Sequence, residues 1–589
     1  MSTRRGFVGF SALALFSLLL AACGSAGGGD ENASAGPGAL ADSITVGIEQ
    51  APDGYNVNTA DNSSVYNAWI DNLTQQGFYK VQPDGKIVAN TTFGTYRKTS
   101  DDPLTVEYTI ADDAVWSDGT PIDFDDVLLA WAAYSGTHPS GEVDDAGAPV
   151  DLFRSGSTNG WSQVAMPQGK AGDKSFTLTY ATPYADWEVL GSGFLPAHVA
   201  AEQGGLSADG DGAALVAAIQ ADDTAALKPV AEFWNTGWAF QENLPALPDA
   251  ALIPTSGPYK YDNASNGTLT LVANDRWWGD PAKTHRIVFK TVDPNEMVQA
   301  LANGEIDTFD PSNATADMMS QLADLGDAVT VKTGESLSFS HIDLDSSAAG
   351  VFADLKVRQA FLKCVPRQEL VDKFATPINP SSTVLDLREY LPAQAEYASV
   401  LARVPTAKVY AKVDLEGAKA LLAQAGVTMP LTIRFNFASQ SGLRADQVAL
   451  VKASCDQAGF NITAVPDPDL FATLSSPGQW DAVIFGWAGS GLIAADESIF
   501  VTGGGQNFGG YSDAKVDELW SKIVKVTTRE EAIPLKAEME EQLWVNPYNV
   551  VLYANPGVTA FSSRLTGPGY NPTQYGSTWN AETWTKSAS

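Results

Sequence analysis

An α/β fold is what this sequence predicts, and three observations predict it. Period-two apolar runs alternate with capped, period-3.6 stripes along almost the whole chain. Hydrophobic residues make up 44% and aromatics 10% of 589 residues, enough for large packed cores. After one early apolar run there is no second stretch of about 18 uncharged apolar residues, so no polytopic membrane protein is encoded. The length suggests about three to five domain-sized units.

The elements follow in order. Ser43–Ile48 alternates as a first strand, and Leu104–Ile110 as a second, with Val106, Tyr108 and Ile110 on one face. Asp123 caps a helix whose stripe is Phe124, Val127, Leu128, Trp131 and Tyr134. Residues 175–180 and 268–273 read as strands, and 213–221 as a short helix in an Ala/Gly/Asp-biased insertion. The strand 286–292 leads through Pro294 into a helix with Met297, Ala300 and Leu301 on one face. Val357, Ala360, Phe361 and Cys364 mark a helix that Pro366 interrupts. Asp414 caps a helix that Gly426 stops. Strand 431–437, a helix through Val448, Val451 and Cys455, and strand 460–465 come next. Strand 481–486 runs into a Gly/Ser-rich turn, and helices 513–526 and 529–544 precede strand 549–554.

Charge removes several functions. Seventy acidic residues against 36 basic ones give a formal charge of −34, which repels phosphate backbones, so no nucleic-acid partner is expected. Four His and three Cys leave little for a zinc site or an iron–sulfur cluster, and no metal or cofactor is expected. No GxSxG, HExxH or GxxxxGK[ST] occurs. His138, His198, His285 and His341 show no i, i+4 pair, so an enzyme is not expected.

The N-terminus reads as an address. Arg4 and Arg5 precede an apolar run from Gly6 to Ala22, the pattern of a secretion signal. Leu20-Ala21-Ala22-Cys23 resembles the bacterial lipobox, which implies cleavage after residue 22 and lipidation of Cys23. Residues 23–40 form a Gly/Ala/Ser tether that would reach about 20–25 Å as a coil. The expected location is therefore extracytoplasmic, on the cell membrane. In such an oxidising compartment Cys364 and Cys455, both on apolar helix faces, would form either a disulfide or two separate buried thiols.

Several segments, in order, resemble solute-binding protein family five, the dipeptide- and oligopeptide-binding components of ABC importers. Trp116 to Val127 (WSDGTPIDFDDV) is similar to its W-S-D-G-x-P signature, with Phe124 where Ala is usual. Ser256-Gly257-Pro258-Tyr259, Asn274 to Gly279 (NDRWWG), Gly304-Glu305-Ile306-Asp307, Lys356 to Ala360 (KVRQA) and Ala418 to Gly426 (AKALLAQAG) resemble further family motifs. Read as residues, these pieces are structural: a turn at Asp118-Gly119, caps at Asp123 and Asp126, and a helix-surface ion pair for Arg358.

The resemblance implies a two-lobed periplasmic-binding-protein fold of the large type II, cluster C form. Lobe one would span 41–335, with an inserted subdomain at about 76–250. Lobe two would span 336–554, and 555–589 would return to lobe one. The crossings are expected near 333–340 and 554–557. A peptide would lie between the lobes of a monomer and pass to permease subunits with their ATPases; an oligosaccharide or other solute is the alternative ligand.

Family likeness also places the site. Gly486, Trp487, Ala488, Gly489 and Ser490 stand where relatives read G-W-x-A-D-Y, whose Asp holds the peptide ammonium. That Asp is missing here, leaving Asp496, Glu497 or backbone carbonyls as substitutes. Trp487 is expected as an aromatic wall, with a core Trp as the other reading. Asn507 and Tyr511 resemble a cleft-side loop, and Glu49, Gln50 and Tyr55 an opening loop that touches peptide backbone.

Overall fold

The computed structural model describes residues 41–588 except 60–63, 144–148, 159, 207–211, 475–477 and 490. The expected signal, the tether, Cys23 and Ser490 lie outside the described residues.

One ten-stranded mixed sheet organises the chain. Its central pair is Val329–Leu344 against Asn549–Ser562, antiparallel. On one side Thr308–Phe309, Ser43–Ile48, Arg286–Thr291, Thr268–Ala273 and Tyr259–Ser265 follow outward. On the other side lie Ala482–Ala488, Leu431–Ala438 and Phe460–Asp467. The two central strands serve both sides. Residues 338–344 pair with 482–488, whereas Phe561 and Ala560 pair with Thr308 and Phe309.

Their side chains divide accordingly between two cores. Val558 and Ala560 pack with Val298, Leu301 and Ile306. Phe339, Ile342 and Val550 to Tyr553 pack with the apolar faces of the helices Leu355–Cys364 and Gly442–Cys455. Between these cores the register shifts between Glu335 and Phe339. Gly334 pairs with Gly557 there, and the Tyr570 ring lies over both. A Cβ on either glycine would sit 2.3 Å from a Tyr570 atom, so only glycine fits this close approach. The returning strand therefore continues eight residues beyond the expected 549–554, because Pro556 sits at the irregular step, where a missing N–H costs no regular ladder bond.

A separate three-stranded sheet is formed by Gly94–Asp101, Leu104–Ile110 and Ser175–Thr179. The helix Phe124–Tyr134 is buried along its whole length, and its capping box joins Asp123 and Asp126. Asp126 also accepts hydrogen bonds from Trp116 Nε1 and Ala197 N, so this motif ties the scaffold together. Arg358 departs from expectation. It is buried, donating to the carbonyls of Phe352 and Ala353 and to Asn546 Oδ1 rather than pairing at the surface. Those acceptors come from a loop and from the end of the helix Arg529–Val545, which local pattern does not reveal. The Sγ atoms of Cys364 and Cys455 are bonded, with Cα atoms 4.9 Å apart.

Candidate ligand-binding site

Two large cavities flank the central strand pair and meet at Thr573. The first, about 570 Å³, lies between Tyr66 and Trp69 of the first helix (Val65–Thr74), the segment 310–316, the end of the helix Arg367–Phe374 that carries Lys373, and the start of the helix Gly442–Cys455 that carries Arg444. Ser336, Ser338, Asn555 and Tyr570 close its floor. The second, about 680 Å³, is walled by Tyr79, Tyr134, Trp161, Tyr184 and Tyr575 and edged by Leu337, Gly489 and Leu492.

Polar groups on the floor of the first cavity form a chain. Ser336 Oγ meets Ser338 Oγ at 2.8 Å, Asn555 Nδ2 donates to Ser338 Oγ, and Ser340 Oγ donates to Asn555 Oδ1. Arg444 Nη1 then donates to Ser340 Oγ at 2.8 Å and to Gln447 Oε1 at 2.9 Å. Burial pushes the Arg444 pKa down, with only the Tyr553 phenol opposing. Among the described residues Asp310 is the one carboxylate lining this cavity. Burial raises it to about 6, even though its Oδ2 accepts from Ser577 N at 2.7 Å.

Next to residues that line the second cavity, two distant segments are joined. Asp186, buried, accepts from Ile493 N at 2.8 Å and from Ala494 N at 2.8 Å. Beside it, Trp187 Nε1 donates to Thr527 O and Lys98 Nζ to Thr527 Oγ1.

The residues expected from sequence distribute unevenly around these cavities. Gly489 edges the second one, its N–H donating to Leu337 O at 2.6 Å. Trp487 is half-buried and stacks between His341 at 6.0 Å and Phe508 at 6.2 Å. It faces a small space shared with Arg388 and Asp496, not either large cavity. Gly486 and Ala488 are exposed in the same strand, and Gly486 lies against Arg444. Asn507 folds its own loop, donating to Val501 O and Tyr511 O and accepting from Tyr511 N. Tyr511 is buried against Tyr548. Glu49 accepts from Ser312 N and Oγ and so fixes one wall of the first cavity. Gln50 is exposed. Tyr55 is a core residue of the first half, donating to Pro254 O and packed against Trp238. Glu497 lines a third cavity, of about 450 Å³.

Sequence reasoning passed over Arg444, Lys373 and Asp310. One signal was available. Ser441 caps the helix Gly442–Cys455, and Arg444 is in its first turn, where the dipole favours an acid. A cation placed there against the helix field serves something outside the helix.

This fold recurs in known proteins. Residues 87–509 match the family described as bacterial extracellular solute-binding proteins, family 5, middle. The chain belongs to that family. An uncharacterised lipoprotein of Mycobacterium tuberculosis is 27% identical over 562 residues, covering 93% of this chain and 94% of the relative. The oligopeptide-binding protein OppA of the same species is 22% identical over 535 residues, 89% of this chain and 82% of OppA. Among solved structures, the periplasmic EDTA-binding protein EppA superposes with a TM-score of 0.77 at 23% identity, over 93% of this chain and 97% of that one. The oligopeptide-binding protein AppA of Bacillus subtilis, in complex with a nonapeptide, gives 0.66 at 17% identity, over 93% and 99%. The chain is thus a two-lobed family 5 solute-binding protein, and the family is one of binding proteins rather than enzymes.

Proposed function

We propose that this chain is the extracytoplasmic receptor of an ABC importer, anchored through a lipid on Cys23, that captures a short peptide between its halves and delivers it to permease subunits with their ATPases. The observation that supports this most is the pair of cavities meeting at Thr573 beneath the crossing strands. Each is of the size that encloses a small ligand. The peptide-binding relatives and the lipoprotein relatives support the same reading.

Site residues of this reading are Tyr66, Trp69, Arg444 and Asn555 in the first cavity, with Gly489, Tyr79 and Tyr575 in the second. Trp487 supports the Gly489 loop from behind. Asp186 is engaged by the amides of Ile493 and Ala494, so Asp496, Glu497 or backbone carbonyls stay the proposed substitutes for the ammonium-binding Asp of relatives. The aromatic wall of the second cavity keeps an oligosaccharide as the second reading.

Mass spectrometry of solutes released from the purified protein, followed by calorimetry with a peptide pool and with oligosaccharides, tests this. Peptides are expected in both. Sugars without peptides would replace the first reading by the second.

A further inference from the structure

Resting on the receptor reading, we propose that Asp71 and the aromatic wall of the second cavity seat a basic side group of the solute, an ammonium of the lysyl class. Asp71 stands in the last turn of the helix Val65–Thr74. The carbonyl end of a helix disfavours an acid, so the helix gains nothing from this residue. No neighbour answers it either. Among the described residues no donor reaches its carboxylate oxygens and no cation pairs with them. Neither oxygen is sealed from open space, in contrast to the unpartnered Oδ1 of Asp310. Elsewhere in the interior charges are matched, as Arg388 with Glu540 and Lys536 with Glu389. An interior carboxylate with no partner is costly to the fold, and a bound cation would remove that cost.

The groups around Asp71 show which space it faces. Its charge raises the pKa of the phenols of Tyr55, Tyr79, Tyr134, Tyr261 and Tyr575. Tyr79, Tyr134 and Tyr575 line the second cavity, so the carboxylate stands behind that wall. Trp161 and Tyr184 extend the wall, with the Tyr134 and Trp161 rings 6.1 Å apart. Ring faces beside a carboxylate attract an organic cation and would hold a neutral solute less well. Arg529, the one charged residue among those described in the lining, donates to Gly491 O and leaves Asp71 unanswered. Burial alone raises the Asp71 pKa to about 7. A net charge of −34 draws cations toward the molecule at long range. Asp71 belongs to the first half and Gly489 to the second, so this seat is separate from the loop where relatives hold the peptide ammonium.

Calorimetry on the full chain in detergent tests the seat. A tripeptide pool carrying one lysine is compared with the same pool carrying norleucine, on wild type, Asp71→Asn and Asp71→Glu. Both pools have the same amino terminus, so any difference reports the side group. Melting temperatures no lower than that of wild type establish that the variants fold. Near pH 8 the lysine pool is expected to bind about tenfold more tightly. Asp71→Asn should erase that preference and Asp71→Glu retain part of it. Near pH 5.5, where Asp71 holds its proton, the preference should shrink in wild type. Equal binding of the two pools near pH 8 would overturn the inference, also where Asp71→Asn weakens both. So would a preference that survives Asp71→Asn. If neither pool binds, the diamine cadaverine is the probe. Cadaverine binding that Asp71→Asn abolishes would sustain the seat while ending the peptide reading, and no cadaverine binding would overturn the inference.

Discussion

Arg388 and Arg444 sit in the same half of the molecule and are treated in opposite ways. Arg388 is fully buried and fully answered: Nη1 bonds Glu540 at 3.1 Å, Nε bonds Asn549 Oδ1 at 2.8 Å, and the guanidinium lies 4.6 Å above the Trp544 ring. Glu540 in turn accepts from the amides of Arg388 and Glu389, and Lys536 with Glu389 completes the knot. Arg444 receives only a hydroxyl and an amide oxygen and keeps one edge open to a cavity. Interior charge that holds a fold together is paired within the fold, because an unpaired buried charge is costly. Charge left without its counter-ion at a cavity is available to a ligand.

The comparison can be broken most directly at the knot. Arg388→Gln strands Glu540 in the interior and should cost about 3–5 kcal/mol, read by chemical denaturation. A loss below 1 kcal/mol would show that the knot is not the structural partner of this pair. Next in size is the tie beneath the helix that presents Arg444. Cys455 ends that helix and is bonded to Cys364 across 91 residues of sequence. The double Cys→Ala variant should lose about 2–4 kcal/mol, with non-reducing mass analysis of the parent showing no free thiol at these positions.

Asp310 sharpens the comparison by pH. Its pKa is raised to about 6, so the native state holds this proton better than the unfolded chain does. The cost of ionising it in place is absent near pH 4, grows between about 4 and 6, and is complete above that. Asp310→Asn should therefore stabilise the protein by about 2–3 kcal/mol at pH 7.5 and by less than about 0.5 kcal/mol at pH 4. Thermal melts across that range check the sign. The smallest effect belongs to Arg444→Gln, which should change stability by less than about 1 kcal/mol. A cost equal to that of Arg388→Gln would make Arg444 a structural residue too and end the contrast.

Local chemistry was legible in the chain. Asp123 and Asp414 cap the helices Phe124–Tyr134 and Leu415–Ala425, and Gly426 ends the second in a left-handed conformation, as their positions in sequence indicate. The strands Ser43–Ile48, Leu104–Ile110 and Leu431–Ala438 stand where the alternation puts them. These signals are local because a cap or a pleat involves residues only a few positions apart.

The site was legible only in part. Glu49 and Gly489 border the large cavities, through a bond to Ser312 and through the lining itself, whereas Tyr55, Asn507 and Tyr511 are engaged with their own surroundings. The sequence by itself determined the elements, the motif order that implies the family, and the acidity that makes any unpaired cation conspicuous. Tertiary structure alone decided which arginine is answered. The partners of Arg388 come from residues 540 to 549, and the groups around Arg444 from residues 340, 447, 486 and 553. Whether a carboxylate stands beside a guanidinium depends on contacts that reach across as much as about 160 residues of chain, and local pattern carries no record of distances that only packing sets.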